Sequence, residues 1–411
     1  MYSQPLKKFV FMFLLAALCL LGSALRPEDF TADTLQQRPW SERFRQGLDS
    51  MIQFEDLCQC SAAGIYFYDL TADTVMYDFG SRQMLRPASV MKTLTAATAL
   101  TQLGCQYQYE THLCMSGAIE DSVLRGNLYV KAGFDPCFDA DDMRGFVAAL
   151  RQAGISAIEG DIVADLSFKD TITVGEGWIW HWRADEHPLT PLLFNSRDCF
   201  MARFFQALDE NNIRRPSGYS LGLMPKDGMA LLATCSRNID QVLVRMLKES
   251  DNLYAESMFY QLGAQEGVPF ADYRRSRKYV EKFIRNCLDE DPDLYTIADG
   301  CGLSVYDCLS PRLIVKMLRY IYHNESLFAH FYPALPVAGE DGTLAGRMKN
   351  TTAQGNVHAK TGTVARVITL AGYARTAQGH DVAFALMHNG IHSSREARAW
   401  DDRVLQLLTM P

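Results

Sequence analysis

The feature that most limits how this chain can fold is the stretch from Pro87 to Leu103, PASVMKTLTAATALTQL, closed by Gly104. Alanine, leucine and methionine run through it, which favours a helix, and the glycine supplies the stop. Such a helix has too little polar surface to lie on the outside, so it must be buried on most sides. The chain is large enough to do this, because 411 residues with 48% hydrophobic and 21% charged positions suit a globular protein of about two domains. Forty lysines and arginines against 48 acids leave a net charge of −8. That charge is repelled by phosphate backbones and anionic lipid heads, which argues against nucleic acid as a partner.

The first 24 residues differ from the rest. Lys7 and Lys8 precede an apolar run from Phe9 to Leu21, followed by the small residues Gly22, Ser23 and Ala24. Thirteen apolar residues fall short of the roughly 20 that span a bilayer, so residues 1–24 read as a cleavable secretory signal. The expected location is periplasmic or otherwise extracytoplasmic, with at most peripheral membrane association. Cys19 follows Leu18 where a lipoprotein site wants a small residue. The ten other cysteines suit an oxidising compartment, and Cys105 and Cys114 flank a short segment they could bridge. The Cys58-Gln-Cys60 spacing has no second cysteine pair or histidine cluster to make a zinc site.

Periodicity sketches the remainder. Trp40 to Phe54 has helical spacing, residues 64–70 and 74–79 read as two strands, and the buried helix follows. From Cys105 to about Asp170 the pattern is strand-rich with one helix at Asp141–Ala153, which reads as an inserted module. Helices are expected at Phe200–Asn211, Asn238–Gly263, Ala271–Cys287, Pro311–His323 and Ser394–Leu408, with strands at Asn356–Lys360, Val367–Arg375 and Asp381–Asn389. Strands at both ends of the chain with helices between them predict one sheet built from distant segments, with a helical lobe.

Three short motifs carry chemistry. Ser89-Val-Met-Lys92 opens the buried helix, and a spacing of three puts hydroxyl and amine on one face. A buried lysine loses proton affinity and can then deprotonate a serine, while the helix start offers N–H groups to an oxyanion. Taken alone, the pair is equally a capping serine and a solvated lysine. Ser250-Asp251-Asn252 is by itself a turn or N-cap, although its hydroxyl can relay a proton and its amide can hold a carbonyl. Lys360-Thr361-Gly362 lies on a strand, where the missing side chain at glycine admits a substrate backbone and the lysine can meet a carboxylate.

In this order the motifs resemble those of the penicillin-recognising serine enzymes, the D-alanyl-D-alanine peptidases and serine β-lactamases. The sequence is most similar to the D-Ala-D-Ala carboxypeptidase/endopeptidase family S13. That finer resemblance rests on Asp299-Gly-Cys-Gly-Leu-Ser304 with Ser310-Pro311, on Leu335 to Leu344 with Arg347-Met348, and on Gly160-Asp-Ile-Val-Ala-Asp. It implies an α+β, β-lactamase/transpeptidase-like fold: an antiparallel sheet flanked by helices, an all-helical lobe and one small α/β insert. The implied division is a catalytic domain split between residues 25–104 and 171–411, with the insert at 105–170. Family members commonly carry two inserts between the first two motifs, whereas Ser89 and Ser250 are only 161 residues apart here.

Residue by residue, the resemblance makes Ser89 the acylated nucleophile and Lys92 its base, with Ser250 as proton relay and Asn252 as ligand of the substrate amide. Lys360 and Thr361, with Gly362 and Thr363, face the terminal carboxylate, and the N–H groups of Ser89 and Thr363 form the oxyanion hole. The implied reaction removes the last residue of peptidoglycan stem peptides ending in D-Ala-D-Ala, with endopeptidase action as a variant and β-lactams as covalent inhibitors. It needs no metal or cofactor. Cys301 departs from the family's usual serine and leaves the role of its loop open. A β-lactamase shares the motifs, but no Glu-x-x-x-Asn arrangement of the class A kind lies between Ser250 and Lys360. A non-enzymatic penicillin sensor would need none of the acid/base groups. Trp178, Trp180 and Trp182 are expected to pack against the insert, and His112, His181, His187 and His358 are scattered without ligand spacing.

Overall fold

The computed structural model describes residues 39–179, 188–265 and 267–411. The expected signal at 1–24 lies outside them, as do Trp180, His181, Trp182 and His187. Among the described residues no helix is long and apolar enough to cross a membrane. In chain order the helices are α1 (Trp40–Phe54), α2 (Asp56–Cys60), α3 (Met91–Gln102), α4 (Ala140–Gln152), α5 (Phe200–Glu210), α6 (Ile239–Lys248), α7 (Asn252–Ala264), α8 (Tyr273–Leu288), α9 (Pro311–Tyr322), α10 (Glu325–Ala334) and α11 (Ser394–Thr409). The strands are β1 (Ala62–Asp69), β2 (Thr74–Phe79), β3 (Gln108–Met115), β4 (Ala118–Glu120), β5 (Val123–Arg125), β6 (Leu128–Lys131), β7 (Ala157–Ile158), β8 (Ile162–Asp165), β9 (Ser220–Leu221), β10 (Ala230–Asn238), β11 (His358–Val364), β12 (Val367–Arg375) and β13 (Asp381–Asn389).

The two ends of this chain meet in one five-stranded antiparallel sheet, ordered β11-β12-β13-β1-β2. β1 pairs with β13 residue for residue, from Ala62 opposite Asn389 to Asp69 opposite Val382. Helix α9 packs on β1 and β13, and α11 packs on β12. This cover explains why β12 and β13 are buried almost throughout and read as continuous apolar runs. β11 is left at the edge of the sheet.

Helix α3 has the predicted surroundings. Every residue from Met91 to Leu100 is buried, against α6, α7, α8, α9 and α10. Its threonines satisfy their hydroxyls inside this apolar setting: Thr98 bonds back to Leu94 O at 2.8 Å and Thr95 reaches Gly300 O at 2.7 Å. The helical pattern over Asn238–Gly263 is divided into α6 and α7 at Ser250-Asp251-Asn252, where the sequence reads as a turn or N-cap. Ser250 adopts a left-handed conformation with φ +60°, and Asp251 caps α7 by accepting from Leu253 N at 3.0 Å and Tyr254 N at 3.4 Å.

The segment expected to form the insert, 105–170, shares its hydrogen bonding with residues beyond it. A second sheet runs β10-β3-β6-β8-β9, with a three-stranded β4-β5-β7 beside it in sequence. β10, far beyond residue 170, pairs with β3 from Asn238 opposite Gln108 to Ala230 opposite Met115. Helix α4 links the parallel strands β6 and β8. Phe200 of α5 stacks into the same core, with its ring 4.8 Å from Phe138. Residues 105–170 thus share a sheet with β10 and a hydrophobic core with α5. The ten described cysteines are free thiols. Cys105 faces Ser326, while Cys114 is buried beside Tyr129 and Val163, so the bridge open to them in sequence is not formed.

Candidate active site

Ser89 lies in a single 3-10 turn, Ala88–Val90, that feeds directly into α3. The turn is tight: Ala88 has φ +46°. One turn on, the Lys92 amine donates to Ser89 Oγ at 3.0 Å, to Asn252 Oδ1 at 2.7 Å and to the Cys301 carbonyl at 2.8 Å. Ser89 remains partly accessible, whereas Lys92 is fully buried. Burial pulls the Lys92 ammonium below the usual lysine range, against the opposing influence of the acidic groups at Cys301, Asp299, Glu256 and Asp251.

The break between α6 and α7 brings in the second motif. Asp251 is spent on the cap, which leaves Asn252 at the head of α7 to face Lys92. The left-handed turn presents the Ser250 hydroxyl to Lys360, whose Nζ donates to it at 2.8 Å and to Thr361 O at 2.7 Å. Lys360 is also fully buried, and burial together with the charge of Lys92 pulls its ammonium well below the usual lysine range.

The third motif lies on edge strand β11. A Cβ at Gly362 would stand 2.8 Å from Pro87 O and 3.1 Å from Ser89 N, so glycine is what lets this strand approach the turn that carries Ser89. Thr361 Oγ1 donates to Thr343 Oγ1 at 2.8 Å, and Arg398 of α11 reaches Thr363 Oγ1 at 3.2 Å. Ser89, Lys92 and Asn252 are thus joined by hydrogen bonds, Lys360 and Ser250 form a second pair, and Gly362 lies against Ser89 on the strand that also carries Thr361 and Thr363.

The segment after Asp299 completes the floor. The Asp299 carboxylate accepts from the N–H groups of Cys301 at 3.0 Å, Gly302 at 2.6 Å and Ser304 at 2.7 Å, and from Trp178 Nε1 at 2.7 Å. A Cβ on Gly302, with φ +85°, would meet Ala88 O at 1.9 Å, so this loop is packed against the turn that carries Ser89. The contact of Cys301 with Lys92 is made by its main-chain carbonyl, which a serine would supply equally. Its thiol is fully buried, and burial pushes its pKa well up. Trp178, expected to pack on the insert, hydrogen-bonds this loop instead.

Four participants escaped the sequence reading: Thr343, Arg398, the Trp178–Asp299 bond and Glu256. Glu256 was the most visible of them, a lone carboxylate in the apolar run Leu253 to Leu262. It is buried, accepts from Gly300 N at 2.8 Å, and is pushed up to about 8 by burial and by Asp299. Of the scattered histidines, His358 stacks on Tyr332 at 4.2 Å and His112 bonds Thr234 at 3.0 Å. Two described clusters have metal-ligand types, Asp135/Asp142/Cys235 and Glu256/Asp299/Cys301. The carboxylates of the first are held by Arg237, and those of the second by main-chain N–H groups. A groove of about 670 Å³ between α4 and α5 contains none of the motif residues.

Comparison with known proteins follows this geometry. The chain matches the D-Ala-D-Ala carboxypeptidase 3 (S13) family over residues 44–192 and 182–410. It is 26% identical over 423 residues to the D-alanyl-D-alanine carboxypeptidase DacB of Haemophilus influenzae, covering 82% of this chain and 87% of that protein. It is 24% identical to a D-alanyl-D-alanine carboxypeptidase of Actinomadura sp. (strain R39), covering 88% and 83%. The crystal structure of penicillin binding protein 4 (dacB) from Haemophilus influenzae superposes with a TM-score of 0.78 at 23% identity, over 88% of this chain and 99% of that one.

Proposed function

We propose, from the premise that this chain belongs to the D-Ala-D-Ala carboxypeptidase 3 (S13) family, that it removes the terminal D-alanine from peptidoglycan stem peptides through an acyl-enzyme on Ser89. The observation that carries this reading is the position of the Lys92 amine, 3.0 Å from Ser89 Oγ and held from the other sides by Asn252 and Cys301 O. Lys92, its proton affinity lowered by burial, takes the Ser89 proton as Oγ attacks the carbonyl between the two D-alanines. The N–H groups of Ser89 and Thr363 stabilise the oxyanion. Collapse of the adduct breaks the peptide bond, and the proton held by Lys92 reaches the departing amine by way of Ser250. Asn252 orients the substrate amide, while Lys360, Thr361, Gly362 and Thr363 receive the terminal carboxylate. Water then attacks the ester, returns the proton and frees Ser89.

A β-lactam follows the first half of the same path and leaves a covalent adduct on Ser89. Cross-linked peptides are a second substrate class, since the bond cleaved also follows a D-alanine. The 1–24 leader supports delivery to the periplasm, where such peptides lie. The catalytic part comprises the residues around the antiparallel sheet and helical lobe, and the module of residues 105–238 is the insert.

Labelling with fluorescent penicillin, combined with D-alanine release from a pentapeptide and the appearance of peptide monomers from a cross-linked dimer, tests the reading. The wild type takes the label and releases D-alanine, and Ser89→Ala does neither, with turnover lower by about 10⁴-fold or more. Absence of label on the wild type overturns the nucleophile assignment. Label without D-alanine release supports a sensor, and rapid penicillin turnover supports a β-lactamase.

A further inference from the structure

Three acidic groups near Lys92, those of Glu256, Asp299 and Cys301, and a fourth beside Asp299, that of Asp307, are buried to 1% exposure or less, and the acyl-transfer scheme uses none of them. Asp299 has a plain task, since its carboxylate folds the loop that follows it. Glu256 has none at first sight. It lies one turn beyond Asn252, so both project from the same face of α7. Asn252 grips the Lys92 amine directly at 2.7 Å. Glu256 grips the next layer, because its Oε1 accepts from Gly300 N at 2.8 Å while Thr95 of α3 donates to Gly300 O at 2.7 Å. Gly300 is thus held on both sides, and the following carbonyl, Cys301 O, receives Lys92 Nζ at 2.8 Å.

We propose that Glu256 is a positioning residue for Lys92: through Gly300 and Cys301 it aims the carbonyl that holds the amine, and through its own charge state it sets how readily that amine gives up a proton. The inference rests on Lys92 being the base that activates Ser89. The groups facing Glu256 are Asp299, Cys301 and Asp307 from the loop, Lys92 from α3, Tyr260 from its own helix and Lys169. With its carboxyl pushed up to about 8, Glu256 is neutral over most of the physiological range. Above that it ionises and places a further negative charge near Lys92, which favours the ammonium and lowers the share of free amine at a given pH. The acylation rate therefore climbs less steeply with pH than it would beside a neutral group.

The test is the second-order rate of penicillin acylation of the full mature chain between pH 6 and 9.5, with kcat and KM for pentapeptide hydrolysis. Glu256→Gln keeps an acceptor for Gly300 N but cannot ionise. Its acylation rate climbs more steeply above pH 7, so its ratio to wild type rises by about threefold or more between pH 7 and 9.5. Glu256→Ala frees Gly300 N and loosens the grip on the amine, lowering acylation at pH 7 by about tenfold or more, with the loss in kcat and not in KM. An E256Q profile that follows wild type overturns the inference, as does a folded E256A that acylates at the wild-type rate. If E256A does not fold, the E256Q profile decides. A wild type that takes no label at any pH overturns the peptidase reading itself, whereas a labelled wild type beside unaltered variants overturns only this role of Glu256.

Discussion

Two lysines, Lys92 and Lys360, are buried to the same extent and supported in opposite ways. Lys92 has three oxygen acceptors, and Asp299 and Asp251 nearby offset part of its desolvation. Lys360 has the Ser250 hydroxyl and one carbonyl, and the charge it feels most is that of Lys92 itself. The contrast teaches a division of labour. Lys92 has counter-charges that let it hold a proton and the burial that lets it release one. Lys360 has no counter-charge of its own, so an anion arriving with the substrate restores its ammonium form.

Substitutions sharpen that contrast or break it. The largest expected effect is for Lys92→Ala, which lowers penicillin acylation by about 10³- to 10⁴-fold while leaving peptide KM little altered. An equal loss in KM would make Lys92 a binding group like Lys360 and erase the difference. Next is Lys360→Met, which weakens peptides bearing a free terminal carboxylate by about tenfold or more and the corresponding methyl esters far less. The same variant reads the burial of Lys360 as stability. A lysine whose folded-state pKa lies below its unfolded value binds fewer protons when folded, so stability rises with pH between those two values and is lowest below the folded one. Lys360→Met therefore raises the melting temperature at pH 7, by about 2 °C or more, and the gain shrinks towards pH 10. A lower melting temperature at pH 7 would contradict the uncompensated state of Lys360. The smallest effect belongs to Thr343→Val, which removes the hydroxyl partner of Thr361 and raises peptide KM about two- to fivefold without altering Lys92-dependent acylation.

The two lysines also differ in how far they could be read in advance. Ser89 and Lys92 are three residues apart on one helix, and helical geometry alone brings their side chains together. Lys360 and Ser250 are 110 residues apart, and their pairing requires both an edge strand beside the turn that carries Ser89 and a left-handed residue between two helices. Nothing local to Lys360 announces burial, since a lysine on an edge strand ordinarily faces water. Within the helical pattern of Asn238–Gly263, Ser250-Asp251-Asn252 is legible as a turn or N-cap, but the groups it faces are not. The cap at Asp251 and the conformation of Ser250 depend on the packing of α6 and α7 around α3.

By itself, the sequence determined the helix that must be buried, the strands at both chain ends, and the three motifs in their order. These follow from side-chain periodicity and short-range spacing, which are local properties. The tertiary structure alone decided the pairing of β10 with β3, the main-chain part played by Cys301, the bond from Trp178 to Asp299 and the place of Glu256 beneath Lys92. Each of these depends on which distant groups share a water-free space. Desolvation and hydrogen-bond pairing act through that space and not along the chain.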